Sequence, residues 1–562
     1  MSKLLVIGLD GGTFTVIDYL IGKNRLPNFA RLIESGSHAT LMSTLPPITP
    51  AAWSSFFTGT NPGKHGSVGF FRFREGTYQL EPMNAANVRG ASVWGLVSGV
   101  GKRVCVYDVP VTYPAYEVNG VMISGMDAPH LDEKSTFPRT FREELLESVP
   151  DFAISSSVDS PYLLSHHPDP VGECIRQLRA HLDVELRTVR YLMEKEDWDM
   201  LVAVIRSPDS FQHIFWDSAE KVMRADPAAD DEDRRRAESV FLCYEVLDSE
   251  LGERWMRWGK DRNLLIMSDH GFGRLEKEIC LNRVLAEAGL LHFHPVRTRQ
   301  KARKYLMGKL QAHLPVRTRR GVRKLLGRDV SGRRWEIFVD ALISDIDFSR
   351  TRIFSISQFG CLFVNTKGRY PSGTVAGEME RRLVIDETVA ALEELADPGD
   401  GLPVLSRFDR KEEIYSGPLM EEMPDLVINM REYAYRGIHS TQLELAEPGI
   451  IREPMKKWGP LAHTGAHRRE GILVMHGPDI LPADLGQVQM VDVAPTIGAL
   501  LDLPYPEDWD GRALTEAFRD KKGQPRAAEA ISAAQEPGPG PSVYTEEEED
   551  EVRRRLENLG YL

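Results

Sequence analysis

The 562-residue chain has few cysteines and no pattern among them. Cys105, Cys174, Cys243, Cys280 and Cys361 are scattered, odd in number and never in C-x-x-C spacing. That argues against a disulfide framework or a thiolate zinc site and fits a reducing compartment. No apolar run approaches the ~18 residues of a membrane span. The N-terminus passes directly into Leu4-Leu5-Val6-Ile7-Gly8-Leu9, too short for a secretory core. The expectation is a soluble, cytoplasmic protein. Positive charge is also in deficit: 69 Lys and Arg against 83 Asp and Glu give a net charge of -14. The molecule as a whole is therefore not expected to bind nucleic acid. Internal repeats are absent too. What remains is ordinary globular composition, 42% hydrophobic and 27% charged. That suits one large domain with insertions, or two to three domains.

Three continuous apolar runs organise the chain. Leu4 to Leu9 ends in Asp10-Gly11-Gly12, Met200 to Ile205 ends in Arg206-Ser207-Pro208-Asp209, and Asn263 to Met267 ends in Ser268-Asp269-His270-Gly271. Such runs read as buried parallel strands. Helical patterns between them (Pro27 to Ser35, Val171 to Glu194, Glu232 to Trp258) predict an α/β fold, a mostly parallel sheet with helices on both faces. In open sheets of this kind ligands sit beyond the carboxyl ends of the strands. Three endings in Asp or Asp-His therefore point to one site.

From 276 to 460 the character changes, and this stretch is expected to be an inserted cap. Within it, residues 296–335 carry fourteen Lys or Arg against one acid. That segment reads as a solvated helical insertion, or as a patch for a polyanion, an anionic surface or a partner. The sheet pattern resumes at Gly471 to Met475. The expected core is thus 1–275 with 461–515. Residues 516–544 read as a flexible linker, and 545–562 as a short amphipathic helix capped by Thr545.

Thr49 stands between an extended, Pro-containing run and a helical segment ending near Gly59. A Thr followed by Pro50 is a natural helix cap. It is also where a nucleophile would sit at the positive end of a helix dipole. The decision rests on metal ligands. Asp209 and His213, four apart, share one face of a helical turn. Asp269 and His270 suit a loop around an ion, Asp10 adds a carboxylate, and the loop at Thr464 to Gly471 adds His467, with His463 and His476 as rivals. Oxygen and nitrogen donors without thiolate suit Zn2+, or Mn2+ as a harder substitute. Paired ions clamp the attacking and leaving oxygens of a phosphoryl transfer.

Gly8-Leu9-Asp10-Gly11-Gly12, Thr49-Pro50 with Thr58-Gly59 and Lys64-His65-Gly66, Asp209-x-x-x-His213, Ser268-Asp269-His270-Gly271 and Gly465-x-His467 occur in one order. In this the chain resembles the alkaline phosphatase superfamily, specifically its type I phosphodiesterase/nucleotide pyrophosphatase branch. Asp492-Val493-Ala494-Pro495-Thr496 and Asp510-Gly511-Arg512 are similar to features of that branch as well. The resemblance implies an alkaline-phosphatase-like fold and two divalent metal ions. Asp10, Thr49, Asp269 and His270 would surround one, and Asp209, His213 and His467 would hold the other. It further implies a small phosphoester or nucleotide-like substrate and a covalent phospho-Thr49 intermediate.

The chain departs from the branch after Lys64-His65-Gly66. Ser67-Val68-Gly69-Phe70-Phe71 stand where an Asn usually contacts phosphate, so Phe70 and Phe71 are the candidate substrate-stacking residues, with Phe56 as a third. No sulfatase signature is present. The rival readings within the superfamily are phosphonate hydrolysis, phosphomonoester hydrolysis, a phosphomutase and head-group transfer. Outside it, Gly8 to Thr13 also looks like the phosphate loop of actin-like sugar kinases, which leaves Asp209, His213, Asp269 and His270 without a role. A polyanion-binding pseudoenzyme is the non-enzymatic alternative.

Overall fold

A computed structural model describes residues 3–154, 164, 167–294, 345–438, 449–454, 459–504, 506–520 and 543–558. The basic segment 296–335 and most of the expected linker lie outside these.

Nine strands of the described residues form the central sheet. They are β1 (Leu4–Leu9), β2 (Ser37–Met42), β3 (Val104–Val109), β4 (Gly120–Ser124), β5 (Thr136–Phe137), β6 (Met200–Ile205), β7 (Asn263–Met267), β8 (Glu470–His476) and β9 (Ala483–Gln489). Their order is β9-β2-β8-β7-β1-β6-β3-β4-β5. The run from β7 through β1, β6 and β3 to β4 is parallel throughout. β8 runs antiparallel to β7 and β2, and β5 to β4. Every residue of β1, β3, β6 and β7 is buried, as continuous apolar runs demand when helices cover both faces. Leu5, Ile7 and Leu9 point to one core, shared with the helices Pro170–Lys195, Ser207–Met223 and Asp231–Glu250. Leu4 and Val6 point to the other, with Trp53 and Phe56 of the helix Thr49–Thr58.

The register brings the ligand-bearing ends together. Leu9 pairs with Ile205, and Gly8 pairs with Met267. Asp10, Asp209 and Asp269 therefore leave the sheet at one edge. Gly8 also sets the height of the Thr49 helix: a Cβ there would lie 2.3 Å from Trp53 Cη2. The indole rests on bare backbone, which carries the start of the helix over the strand ends.

Between Lys277 and Arg452 the chain builds a smaller body. Ile353–Ser355, Cys361–Val364, Leu426–Met430 and Leu405–Arg410 form an antiparallel four-stranded sheet. The helix Gly377–Glu393 covers it, and Leu362, Val364, Ile385 and Ile428 share its own apolar core. A hinge-like sheet of Lys277–Ile279, Tyr435–Gly437 and Ile451–Arg452 stands where this body meets the main sheet's chain.

Two expectations change in detail, and a third is matched over the described residues. The long helix from Glu232 ends at Glu250 and passes through a π turn over Leu251–Trp255. The start of the expected linker is packed: Thr515–Ala517 form a 3-10 turn and Phe518, 4% exposed, bridges Ile480. The terminal helix is described over Glu546–Asn558. Its capping box is visible, with Thr545 Oγ1 accepting from Glu548 N–H (3.3 Å) and Glu548 Oε2 from Thr545 N–H (2.7 Å). Among the described residues, no helix is long and apolar enough to cross a membrane.

Candidate active site

Thr49 is fully buried, and it is not the helix cap. Ile48, extended at φ -131 and ψ 135, holds that position, and no side chain caps the helix. Thr49 is the first helical residue, and its Oγ1 lies 3.4 Å from His270 Nε2. Ala52 N–H donates to the Ile48 carbonyl (3.0 Å), so the N–H groups of Thr49 and Ala51 precede the first intrahelical bond.

Three imidazoles are held the same way. His270 Nδ1–H donates to the Gly271 carbonyl (3.0 Å), His467 Nδ1–H to that of Pro47 (3.0 Å), and His213 Nδ1–H to that of Gly465 (3.3 Å). Each backbone bond fixes a tautomer and aims Nε2 inward, as in rings prepared to ligate a metal. His270 Nε2 lies 3.4 Å from Asp269 Oδ2 and 3.6 Å from Asp10 Oδ1. Asp209 Oδ1 lies 3.2 Å from His213 Nε2 and 3.5 Å from His467 Nε2, and those two nitrogens are 3.1 Å apart. A proton can bridge one such pair, whereas a divalent cation can serve all three donors at once. Ring stacking of His270 on His467 (centroids 3.5 Å apart) joins the two groups. Within this cluster two sets of donors are compact enough for an ion: Asp10, Asp269 and His270, and Asp209, His270 and His467.

Asp10 and Asp269 are almost wholly buried, and Asp10 Oδ1 and Asp269 Oδ2 have no hydrogen-bond donor among the described residues. Burial, and then neighbouring carboxylate charge, raises the pKa of Asp10 well above the ordinary range. Asp269 is raised by burial and by Asp209, against a bond from Gly11 N–H (3.2 Å). Burial also acts to raise Asp209, but a proton held on the facing His213 or His467 Nε2 outweighs it and holds the carboxyl well below the usual range. His270 and His467 are pushed down, chiefly by burial, which keeps them neutral lone-pair donors. Buried carboxylates, each with an oxygen that no donor meets, form beside the imidazoles a donor set that fits a divalent cation.

The supports of this cluster are local. Asp209 and His213 lie on one face of the helix Ser207–Met223, four apart. Gln212 Nε2 donates to the Gly11 carbonyl (2.9 Å), and Tyr244 Oη to Gln212 Oε1 (3.1 Å), tying that helix to the Asp10 loop. His467 was expected in a loop and instead lies on a strand, Gly465–Arg468, paired opposite Phe272 of Gly271–Arg274. A Cβ at Gly465 would meet the Gln212 carbonyl oxygen at 2.4 Å, so only glycine lets this strand reach the helix. The His463 ring lies tilted against that of His213, centroids 5.0 Å apart, and outside both donor sets. His476 ends antiparallel β8 beside Leu264, at the opposite edge of the sheet.

These motifs lie within a longer match. The model of the type I phosphodiesterase / nucleotide pyrophosphatase family fits residues 4–341, more than half of the chain. The chain belongs to this family. As a member, it is a phosphoester hydrolase of the phosphodiesterase/pyrophosphatase type. His467 lies beyond the matched span, so its place in the site rests on the geometry above. Solved structures similar to this family member include human ectonucleotide pyrophosphatase / phosphodiesterase 5. The two are 12% identical, with 92% of this chain and 100% of that one covered at a TM-score of 0.46. The fold assignment rests on the sheet topology and not on that likeness. No curated protein matches the sequence.

Phe70 and Phe71 are placed away from the metal-type donors. Phe70, 9% exposed, packs into the main core. Phe71 lies under the Arg553 guanidinium, 5.6 Å from its ring centroid. Phe56 is wholly buried. A narrow cleft of about 30 Å3 beside His213 and His467 is lined instead by Phe359, Tyr433, Tyr435 and Arg436 of the smaller body. Phe359 lies 5.2 Å from the His467 ring. No local spacing marks these residues. Tyr433 ends three successive non-glycine residues at positive φ, a strained turn of the kind found at functional sites.

A second group that sequence reasoning missed supports Asp209 from behind. Glu185 accepts the Arg206 N–H (2.8 Å) and the Ser207 hydroxyl, and Arg206 Nε donates to Asp108 (2.7 Å). Glu185 lies inside a long helix and Asp108 inside an apolar strand, and no local spacing joins either to Arg206.

Proposed function

We propose that the protein is a metal-dependent phosphodiesterase or nucleotide pyrophosphatase that works through a phospho-Thr49 intermediate. The observation that carries this reading is the buried Thr49 hydroxyl, which makes no cap bond and faces His270 Nε2 at 3.4 Å. Asp10, Asp269 and His270 with Thr49, and Asp209, His213 and His467, would hold two divalent cations, zinc best matching the mixed oxygen and nitrogen donors. When bound, such ions supply Lewis acidity and lower the pKa of hydroxyl groups near neutrality.

The chain's own groups do the rest. Thr49 Oγ bonds to phosphorus as the alcohol or phosphate leaving group departs in line, and water then cleaves the phospho-threonine ester. The first-turn N–H groups of Thr49 and Ala51 face the phosphoryl oxygens with the positive end of the helix dipole. The body from 276 to 460 caps the site, and Phe359, Tyr433 and Arg436 shape what enters. The five cysteines are buried and none is placed in a disulfide, which accords with a cytoplasmic setting.

The narrowness of the cleft favours a second reading, hydrolysis of a small phosphonate or phosphomonoester. A panel of aryl phosphodiester, phosphomonoester, phosphonate and sulfate substrates, run with Zn2+ and with Mn2+, separates them. The first reading requires the diester to have the highest kcat/KM. A higher value for the phosphonate or monoester transfers the assignment to the second reading, and a best sulfate rate overturns both.

A further inference from the structure

A larger cavity, about 650 Å3, opens between the hairpin strand Phe71–Phe73 and the smaller body. None of the candidate metal-holding residues lines it, nor does Thr49. At its floor Asp425 is fully buried and takes three cations: Arg369 Nη1 (3.0 Å), Arg381 Nη1 (3.2 Å) and Lys411 Nζ (3.3 Å). Arg381 is 7% exposed and Lys411 5%. Arg381 and Lys411 are buried and the Arg369 side chain is 12% exposed, so Asp425 by itself leaves the three cations two positive charges in excess. The other acids that reach them stand at the surface: Glu378 accepts from Arg381 Nε (2.8 Å) and Glu412 from its Nη2, with side chains 53% and 47% exposed, and Glu421, 86% exposed, lies 3.9 Å from Lys411 Nζ. Exposed acids compensate buried charge weakly, because solvent screens them. A buried excess of this size calls for an anion.

The rest of the wall describes what the anion is attached to. Phe71, Phe73, Phe363 and Tyr370 line the cavity. Tyr370 is 5% exposed, and its hydroxyl has no hydrogen-bond partner among the described residues. Arg369 lies over the Tyr370 ring, 5.1 Å from its centroid, so its guanidinium plane is already oriented. A bare oxyanion fills only a small part of 650 Å3, whereas ligand pockets for small organic molecules occupy about 300–1,000 Å3.

We propose that this cavity is a second ligand site, separate from the one at Thr49, and that it binds a small organic phosphomonoester bearing a flat ring, of the nucleoside monophosphate class. The dianionic phosphate matches the charge excess, Arg369, Arg381 and Lys411 supply charge-assisted bonds, and the aromatic wall with the Tyr370 hydroxyl receives the ring.

The test is calorimetric titration of adenosine monophosphate into the full-length protein stripped of metal by chelation. Adenosine and inorganic phosphate are run as separate arms. The nucleotide should bind at one equivalent, inorganic phosphate on the order of tenfold more weakly, and adenosine not measurably. Lys411→Gln should weaken the nucleotide on the order of tenfold. Tyr370→Phe, which keeps the ring and so the packing, should weaken it by about threefold. Asp209→Asn should leave binding unchanged. Failure of the nucleotide to bind overturns the proposal. So do affinities within twofold of the parent in both Lys411→Gln and Tyr370→Phe, or binding that disappears in Asp209→Asn and so belongs to the other site. Phosphate as tight as the nucleotide overturns recognition of the ring, and adenosine as tight as the nucleotide overturns recognition of the anion.

Discussion

The protein buries charge in two places and does so with opposite sign. At the strand ends, Asp10, Asp209 and Asp269 lie together with His270 and His467, whose neutral forms burial favours, so ionising these carboxyls makes the excess charge negative. In the smaller body, Asp425 is buried just as deeply but is surrounded by Arg369, Arg381 and Lys411, so positive charge is in excess. Both arrangements are costly as they stand, because low-polarity surroundings magnify uncompensated charge. The sign of the excess states what offsets it: divalent cations at the strand ends, a phosphate dianion in the cap. The geometry agrees with the sign. The imidazoles are aimed by backbone carbonyls, as ligands are, whereas the guanidinium groups stack and fork, as oxyanion receptors do.

The largest effect tests the negative site. Thr49→Ala should lower kcat by about a thousandfold or more while leaving bound metal, counted by elemental analysis, unchanged. Unaltered turnover would remove Thr49 from the chemistry, and lost metal would make it a ligand only. Next, Asp269→Asn should lose more metal affinity than the ~10–100-fold typical of outer partners, measured by competition with a chromophoric chelator. Chelation of the unmodified protein should cost stability, because the buried carboxylates are left facing one another. Free metal a thousandfold above its Kd would account for about 4 kcal/mol, read as a fall in the denaturant midpoint. Smaller still, Glu185→Gln should lower kcat/KM on the order of tenfold with metal retained, since it acts through Ser207 and Arg206 at the base of the helix bearing Asp209. Smallest, Lys411→Gln should leave diester hydrolysis within about twofold. A larger loss would join the two charged regions into one functional site.

The two regions also differ in how far they could be read without coordinates. β1, β6 and β7 were legible because a strand buried on both faces must be continuously apolar, and an Asp at its end stands out. The Asp209 and His213 pair was legible because helix geometry is local. His467 was found from its motif, but its strand was not: four residues, Gly465–Arg468, become a strand only by pairing with Gly271–Arg274, which is a tertiary fact. Thr49 was displaced by one position, from cap to first turn, and that step frees its hydroxyl from the backbone. In the cap, Arg381 and Lys411 lie on two helices and Arg369 and Asp425 in loops, with no repeating interval. Charged residues at such spacing look like solvated surface until a fold buries them. Of the two stacking candidates, Phe70 is taken up by the main core, whereas Phe71 lines the larger cavity and not the cleft beside His213 and His467.

The account centres on Thr49 as the atom that takes the phosphoryl group. Acid quenching of the metal-loaded enzyme during turnover of an aryl phosphodiester, followed by peptide mass spectrometry, measures that directly. The account predicts a phosphoester adduct on the peptide containing Thr49, absent in Thr49→Ala. Steady turnover with no adduct on Thr49, or an adduct on another residue, would contradict it.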